Sequence, residues 1–186
     1  MDASGSDWLE RPSRSKEENT DLIVKSMKLK PGMVVADIGA GTGYYTFRIA
    51  KQVPNGKVYA VEIQDELIDM LNKKKNEIGA NHIEVVRGDT MSVNLPENTV
   101  DLAILVDVYH ELSWPREIIQ SIGKSLKPGG KILLVEYRGE DAELRIKPLH
   151  KTTVEQLTRE MNANGFIADE RIDIFPIQHF LMFRKQ

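Results

Sequence analysis

Apolar and polar positions along the chain fall into two alternating textures. Short runs rich in β-branched residues occupy roughly 33–38, 57–62, 82–87, 100–106 and 131–137, and their near-continuous hydrophobicity is the mark of strands buried on both faces. Between them lie stretches with an apolar stripe at helical spacing, predicting helices over Tyr44–Lys51, Asp65–Ile78, Pro115–Leu126 and Thr153–Asn164. Thr152 and Glu155 stand at capping-box spacing before the last of these, and Gly165 ends it. Strand alternating with helix predicts an α/β sandwich in which helices cover both faces of a mainly parallel sheet.

After Gly165 the texture changes. Arg171–Phe175 and His179–Phe183 read as two strands, and so short a link as Pro176-Ile177-Gln178 requires an antiparallel pair. Leu29-Lys30-Pro31-Gly32 before the first strand is echoed by Leu126-Lys127-Pro128-Gly129-Gly130 before the fifth; each stops a helix and turns the chain into a buried strand. No interior linker or repeat divides the chain, so residues 17–186 read as one domain. Residues 1–16 form a polar leader in which Trp8, Arg11, Pro12 and Arg14 are candidates for a lid, the alternative being a solvated segment.

The first strand runs directly into Gly39-Ala40-Gly41-Thr42-Gly43 and then a helix. Glycine at such a junction permits a sharp turn and close approach of a ligand to the backbone, and the helix start offers unpaired N–H groups. The spacing is G-x-G-x-G, and Tyr44 stands where a dinucleotide fingerprint needs a small third residue, which argues against NAD and an oxidoreductase. Glu62, at the end of the second strand, is placed to accept hydrogen bonds from both hydroxyls of a ribose. Asp89, in Arg87-Gly88-Asp89-Thr90 after the third strand, is on the same sheet edge and suits an exocyclic amine.

Composition then narrows the partners. The 186 residues carry 28 acids against 25 bases, a net charge of -3, so no global positive field attracts a phosphate backbone and nucleic acid is not expected. With no cysteine, thiolate nucleophiles and cysteine-bound zinc are excluded. No apolar run reaches the roughly 20 residues of a membrane span, and the start lacks the pattern of an export signal; the expectation is a cytoplasmic protein without a membrane partner.

Ala36-Asp37-Ile38-Gly39-Ala40-Gly41-Thr42-Gly43, Glu62, Gly88-Asp89 and Leu126-Lys127-Pro128-Gly129-Gly130 together resemble the class I S-adenosylmethionine-dependent methyltransferases, from about Leu22 to the C-terminus. The resemblance implies a Rossmann-like three-layer sandwich with a mostly parallel seven-stranded sheet whose last strand is antiparallel. It implies S-adenosyl-L-methionine as cofactor, with Asp37, Gly39, Ala40, Gly41 and Gly43 at its methionine end. Glu62 followed by Ile63 would hold the ribose, and Gly88, Asp89 and Thr90 the adenine, with Asp107 shaping the loop beside them. The family's D/N-P-P-Y signature for amide or base nitrogen is absent, since that place reads Asp107-Val108-Tyr109-His110.

Ligands in open α/β sheets sit beyond the carboxyl ends of the strands, and Tyr109, His110, His150 and His179 are expected on that edge as the acceptor side of the pocket. Histidine near its ordinary pKa suits removal of a proton from an acceptor; His82 belongs to the opposite edge. The expected function is methyl transfer to a small molecule, with a catalytically silent cofactor-binding or partner subunit as the alternative. No metal site is assigned, although His110, Glu111, His150 and His179 are the candidate ligands of a metal-assisted variant.

Overall fold

The computed structural model describes residues 10–186; Trp8 lies outside the described residues. Eight strands form one sheet: β1 (Val34–Ile38), β2 (Lys57–Glu62), β3 (Ile83–Arg87), β4 (Val100–Val106), β5 (Leu126–Arg138), β6 (Lys151–Thr152), β7 (Phe166–Ile172) and β8 (Gln178–Lys185). The helices are α1 (Arg14–Glu17), α2 (Thr20–Ser26), α3 (Thr46–Gln52), α4 (Asp65–Glu77), α5 (Pro115–Ser125) and α6 (Val154–Ala163). The strand order is β3-β2-β1-β4-β5-β8-β7, with β6 appended to β5. Among the described residues, only the contacts of β8, to β5 and to β7, are antiparallel. The seven-stranded expectation therefore holds for the main path, and the two-residue β6 is an addition.

Alternation along each strand separates two cores. On β4, Leu102, Ile104 and Val106 face one layer while Ala103 and Leu105 face the other. The first layer is closed by Ile23 of α2 and Met27 just past its end, Ile49 of α3 and Leu71 of α4. The second is closed by Ile118, Ile119 and Ile122 of α5 and Leu157 and Met161 of α6. Both faces being covered is the reason the central strands read as continuous apolar runs.

Three expectations about boundaries change. The tail strand begins at Phe166, directly after Gly165 at φ +80°, and pairs with β8 from Phe166↔Lys185 to Ile172↔Phe180. Residues 173–177 form the connection, with Phe175 buried and stacked 5.5 Å from Phe180; the longer link still joins antiparallel neighbours. Second, α6 is capped by Thr153, whose hydroxyl accepts from Gln156 N at 3.1 Å. Thr152 is spent on β6, opposite Arg138. Third, Leu126 already pairs with Val100 before the register shifts to Leu102↔Lys131, so the Lys-Pro-Gly-Gly segment is a bulge within β5, with Gly129 at φ +79°.

Strand order reverses between β1 and β4, both of which lie parallel to each other and to their outer neighbours. The connections leaving the carboxyl ends of β1 and β4 run to opposite sides there, opening the crevice in which such sheets bind ligands. Gly43, at φ +84°, sits on the floor of that region: a Cβ there would lie 2.3 Å from the Phe47 ring and 2.8 Å from Leu71. Gly43→Ala is expected to destabilise the fold by about 1 to 3 kcal/mol through overpacking and backbone strain, measured by denaturant unfolding against Gly79→Ala, where positive φ is shared but the space is open.

Candidate active site

A cavity of about 380 Å³ opens at the switch point, within the range that takes a small-molecule ligand. The glycine loop forms one wall. Gly39 and Gly41 adopt φ of +71° and +56°, and a Cβ on Gly39 would fall 2.7 Å from a Val108 methyl. Glycine is thus demanded by conformation and by the close approach of the β4 loop. Asp37, Gly39, Ala40 and Gly41 line the cavity, whereas Gly43 packs into the core beneath it and acts on the cavity through the loop's shape.

Glu62 is 5% exposed and lines the cavity. One oxygen accepts from Gly41 N at 2.9 Å; the other accepts from Ile63 N at 2.7 Å and Gln64 N at 3.1 Å. One carboxylate therefore clamps the glycine loop to the end of β2. Ile63, Gly88, Asp89 and Thr90 continue the wall. Asp89 turns its own loop, accepting from Met91 N and Ser92 N at 2.7 Å each, an arrangement favoured by a short side-chain acid. The set fits S-adenosylmethionine: two positive-φ glycines give backbone approach, and two carboxylates stand along one wall.

Asp37 is 3% exposed and accepts from Thr46 Oγ1 at 2.6 Å. Burial pushes its carboxyl up to about 6, against the lowering effect of Thr46 and with Glu62 adding repulsion. Asp107, at φ +54°, takes two hydrogen bonds from Gln178 Nε2, both at 2.9 Å. Burial and the nearby Glu18 and Glu136 carboxylates hold its acid well above the usual range. Arg14 reaches the same corner from α1: it is 3% exposed, lines the cavity, donates to Glu18 at 2.8 Å and lies 3.9 Å from Asp107. Glu10 accepts from Thr42 Oγ1 of the glycine loop at 2.6 Å. The described segment of the leader is thus bonded to the site, and α1 crosses the boundary expected at residue 16.

The four acceptor-side candidates separate. His110 and His150 line the cavity, from the turns at Tyr109–Glu111 and Pro148–His150, with ring centroids 5.0 Å apart. Tyr109 and His179 do not. Tyr109 is turned into the second core and donates to Glu160 at 2.7 Å, burial and that carboxylate both raising its pKa. His179 is 1% exposed inside β8 and bonds Glu140 at 2.8 Å, with burial lowering its pKa. Side chains alternate across a strand and turn, so arrival at the correct sheet edge does not decide which face a residue serves. His82, at the start of β3, contacts Ala50 O at 3.0 Å, away from the cavity as expected.

Glu136, within the apolar run of β5, is a site residue that the sequence patterns did not single out. It is fully buried, and its Oε1 accepts from Val108 N at 3.0 Å and Tyr109 N at 2.7 Å. Its Oε2 meets His110 Nδ1 at 2.5 Å. With Nδ1–H donating to a carboxylate, the neutral ring keeps its lone pair on Nε2. The available signal was a lone acid inside a buried strand, since such a charge requires partners.

Residues 35–130 match the family model described as a methyltransferase domain. The chain is 25% identical to a SAM-dependent methyltransferase from Aquifex aeolicus, with a TM-score of 0.92 and all of both chains covered. Demethylmenaquinone methyltransferase from Anoxybacillus flavithermus is 27% identical over 114 residues, 61% of this chain and 48% of that protein. The same fold, at 21% identity and a TM-score of 0.77, is found in the cyclase SpnF, over 90% of this chain and 79% of that one. The chain spans about half the length of the curated relatives it matches.

Asp37 gives a pH-dependent prediction. An ordinary value of 3.8 in the unfolded chain and about 6 in the fold means the folded state binds the extra proton between these limits, so stability falls as pH rises through that window. Asp37→Asn keeps an oxygen for Thr46 and is expected to raise unfolding stability at pH 7.5 by on the order of 1 to 3 kcal/mol. The gain should shrink to nothing near pH 3.5, as read from urea midpoints across pH. Family match, sheet order and cavity agree: the chain belongs to the methyltransferase-domain family, within the class I S-adenosylmethionine-dependent methyltransferases.

Proposed function

We propose that this protein transfers the methyl group of S-adenosylmethionine to a small, partly apolar acceptor carrying an acidic hydroxyl or activated carbon. The observation that carries the reading is the Glu136–His110 pair, which fixes an imidazole on the cavity wall with Nε2 turned from its buried partner. The cofactor supplies a sulfonium methyl carbon open to displacement. The chain's work is then to hold the adenosine end, align the acceptor and engage its acidic group. Glu62 and Asp89 serve the first task, and His110, seconded by His150, serves the others.

Acceptor character is supported by the lining, to which Ile63, Leu67, Val93, Val108, Leu112 and Ile118 contribute aliphatic surface. Such a lining favours an apolar molecule over a phosphate-rich one. A quinone-type ring fits that chemistry, and the similarity to demethylmenaquinone methyltransferase supports it. The net charge of -3 supports a small-molecule acceptor over nucleic acid. Among the described residues, no helix is long and apolar enough to cross a membrane.

Two measurements test the reading. Glu62→Gln should weaken S-adenosylhomocysteine by about 1 to 3 kcal/mol in calorimetry, because the amide removes a charge and turns its NH2 either on Gly41 N–H or on the Ile63 and Gln64 N–H groups; an unchanged affinity would leave Glu62 a loop clamp alone. His110→Ala should lower turnover with a reduced quinone-type or phenolic acceptor by ~10² to 10⁴ while cofactor affinity stays within about twofold. Full turnover in that variant would remove His110 from the reaction.

A further inference from the structure

The wall that carries His110 holds a second arrangement. His110, Glu111 and His150 each present a ligand-type atom, and the three atoms lie within 4.8 Å of one another. Two come from one turn and the third from the turn packed against it. The rings are tilted by 53°, so they converge without stacking.

An independent observation concerns the same atoms. The His110 side chain is 5% exposed, its Nδ1 is taken by Glu136, and Nε2 is buried with no hydrogen-bond partner among the described residues. Buried polar atoms are ordinarily paired. A Glu111 carboxylate oxygen stands 3.9 Å from Nε2, and in the tautomer whose single ring proton is on Nδ1 that nitrogen has a lone pair and no proton to give. Acceptor facing acceptor is a poor hydrogen-bond network and a good ligand set. A buried carboxylate behind a ligating histidine also matches the support that metal-bound imidazoles usually have.

We propose that His110 Nε2, the Glu111 carboxylate and a ring nitrogen of His150 bind one divalent transition-metal ion at the acceptor end of the cavity. Two imidazoles and one carboxylate suit zinc or a similar borderline ion better than magnesium or calcium, which prefer all-oxygen sets. Such an ion holds its ligands at about 2.0 to 2.2 Å, so the three groups must draw together. His110 is held by Glu136, whereas the Glu111 side chain is 28% exposed and His150 is partly exposed, so the approach falls to those two. Three protein ligands leave a coordination position, and all three line the cavity. This departs from the expectation of no metal, because sequence separation conceals the approach of His150 to His110.

The ion's role rests on reading this wall as the acceptor side; its binding does not. An acceptor hydroxyl on the open position loses its proton to water more readily, leaving an oxygen anion held beside the methyl donor. The acceptor class is thereby narrowed to molecules with a hydroxyl or enol oxygen at or next to the methylated atom.

The test uses tag-free, chelator-treated protein titrated with zinc by calorimetry and with cobalt by visible absorption. The expected result is one ion per chain at micromolar or tighter affinity, weakened at least 100-fold by His110→Ala or His150→Ala and at least 10-fold by Glu111→Gln. S-adenosylhomocysteine affinity is the fold control and should stay within about twofold in every variant. Absence of saturable binding, or zinc affinity in all three variants unchanged from the unsubstituted protein, overturns the metal site. If zinc fails to bind while His110→Ala abolishes methyl transfer, the ion is excluded and direct acceptor contact by His110 stands. If zinc binds through these residues but no hydroxylated acceptor is methylated, the site stands and the proposed function falls.

Discussion

A carboxylate buried in a parallel sheet is tolerated only when donors surround it, and Glu136 meets that demand in a way that shapes the whole cavity. Its oxygens gather Val108 N, Tyr109 N and His110 Nδ1, forcing the chain after β4 into a tight turn over the end of β5. Asp107 enters that turn at a positive φ, held from β8 by Gln178. Val108 is thereby pressed against Gly39, and His110 is turned to the cavity. One charge thus sets the Gly39 wall and the His110 wall of the cavity together.

Glu62 has the corresponding role at the end of β2. By joining Gly41 N to Ile63 N, it ties the first glycine-loop turn to the next strand's exit. Both carboxylates act as fasteners of backbone before they act on any ligand. Breaking a buried charge's contacts costs more than its net contribution, since the orphaned groups keep their desolvation penalty. The backbone beside Glu62 and Glu136 is thereby fixed by buried acceptors, whereas Glu111 and His150 stand on short turns with partly exposed side chains.

The features legible in the sequence were those governed by local rules. Val34–Ile38 and Val100–Val106 announced buried parallel strands by unbroken hydrophobicity, and the glycine loop with Glu62 announced the crevice by spacing. The features that stayed hidden depend on pairing across distance. β6 is two residues long and exists only because β5 overhangs it. Thr153 rather than Thr152 caps α6, a one-residue choice decided by that pairing. Tyr109 and His110 are neighbours with opposite fates, one in the core and one on the cavity, and the turn that divides them is fixed by Glu136, 26 residues past His110. His179 is buried on β8 opposite Glu136 and is taken by Glu140, 39 residues before it.

The described part of the leader belongs to the cavity's architecture. Glu10 is bonded to Thr42 on the glycine loop, Arg11 and Arg14 both reach the wholly buried Glu18, and Arg14 also lies 4.3 Å from the Tyr44 ring centroid. Arg14 lines the cavity, so the wall on this side is made by residues that precede the sheet in sequence and are held in place by charge pairing, not by the strand ladder.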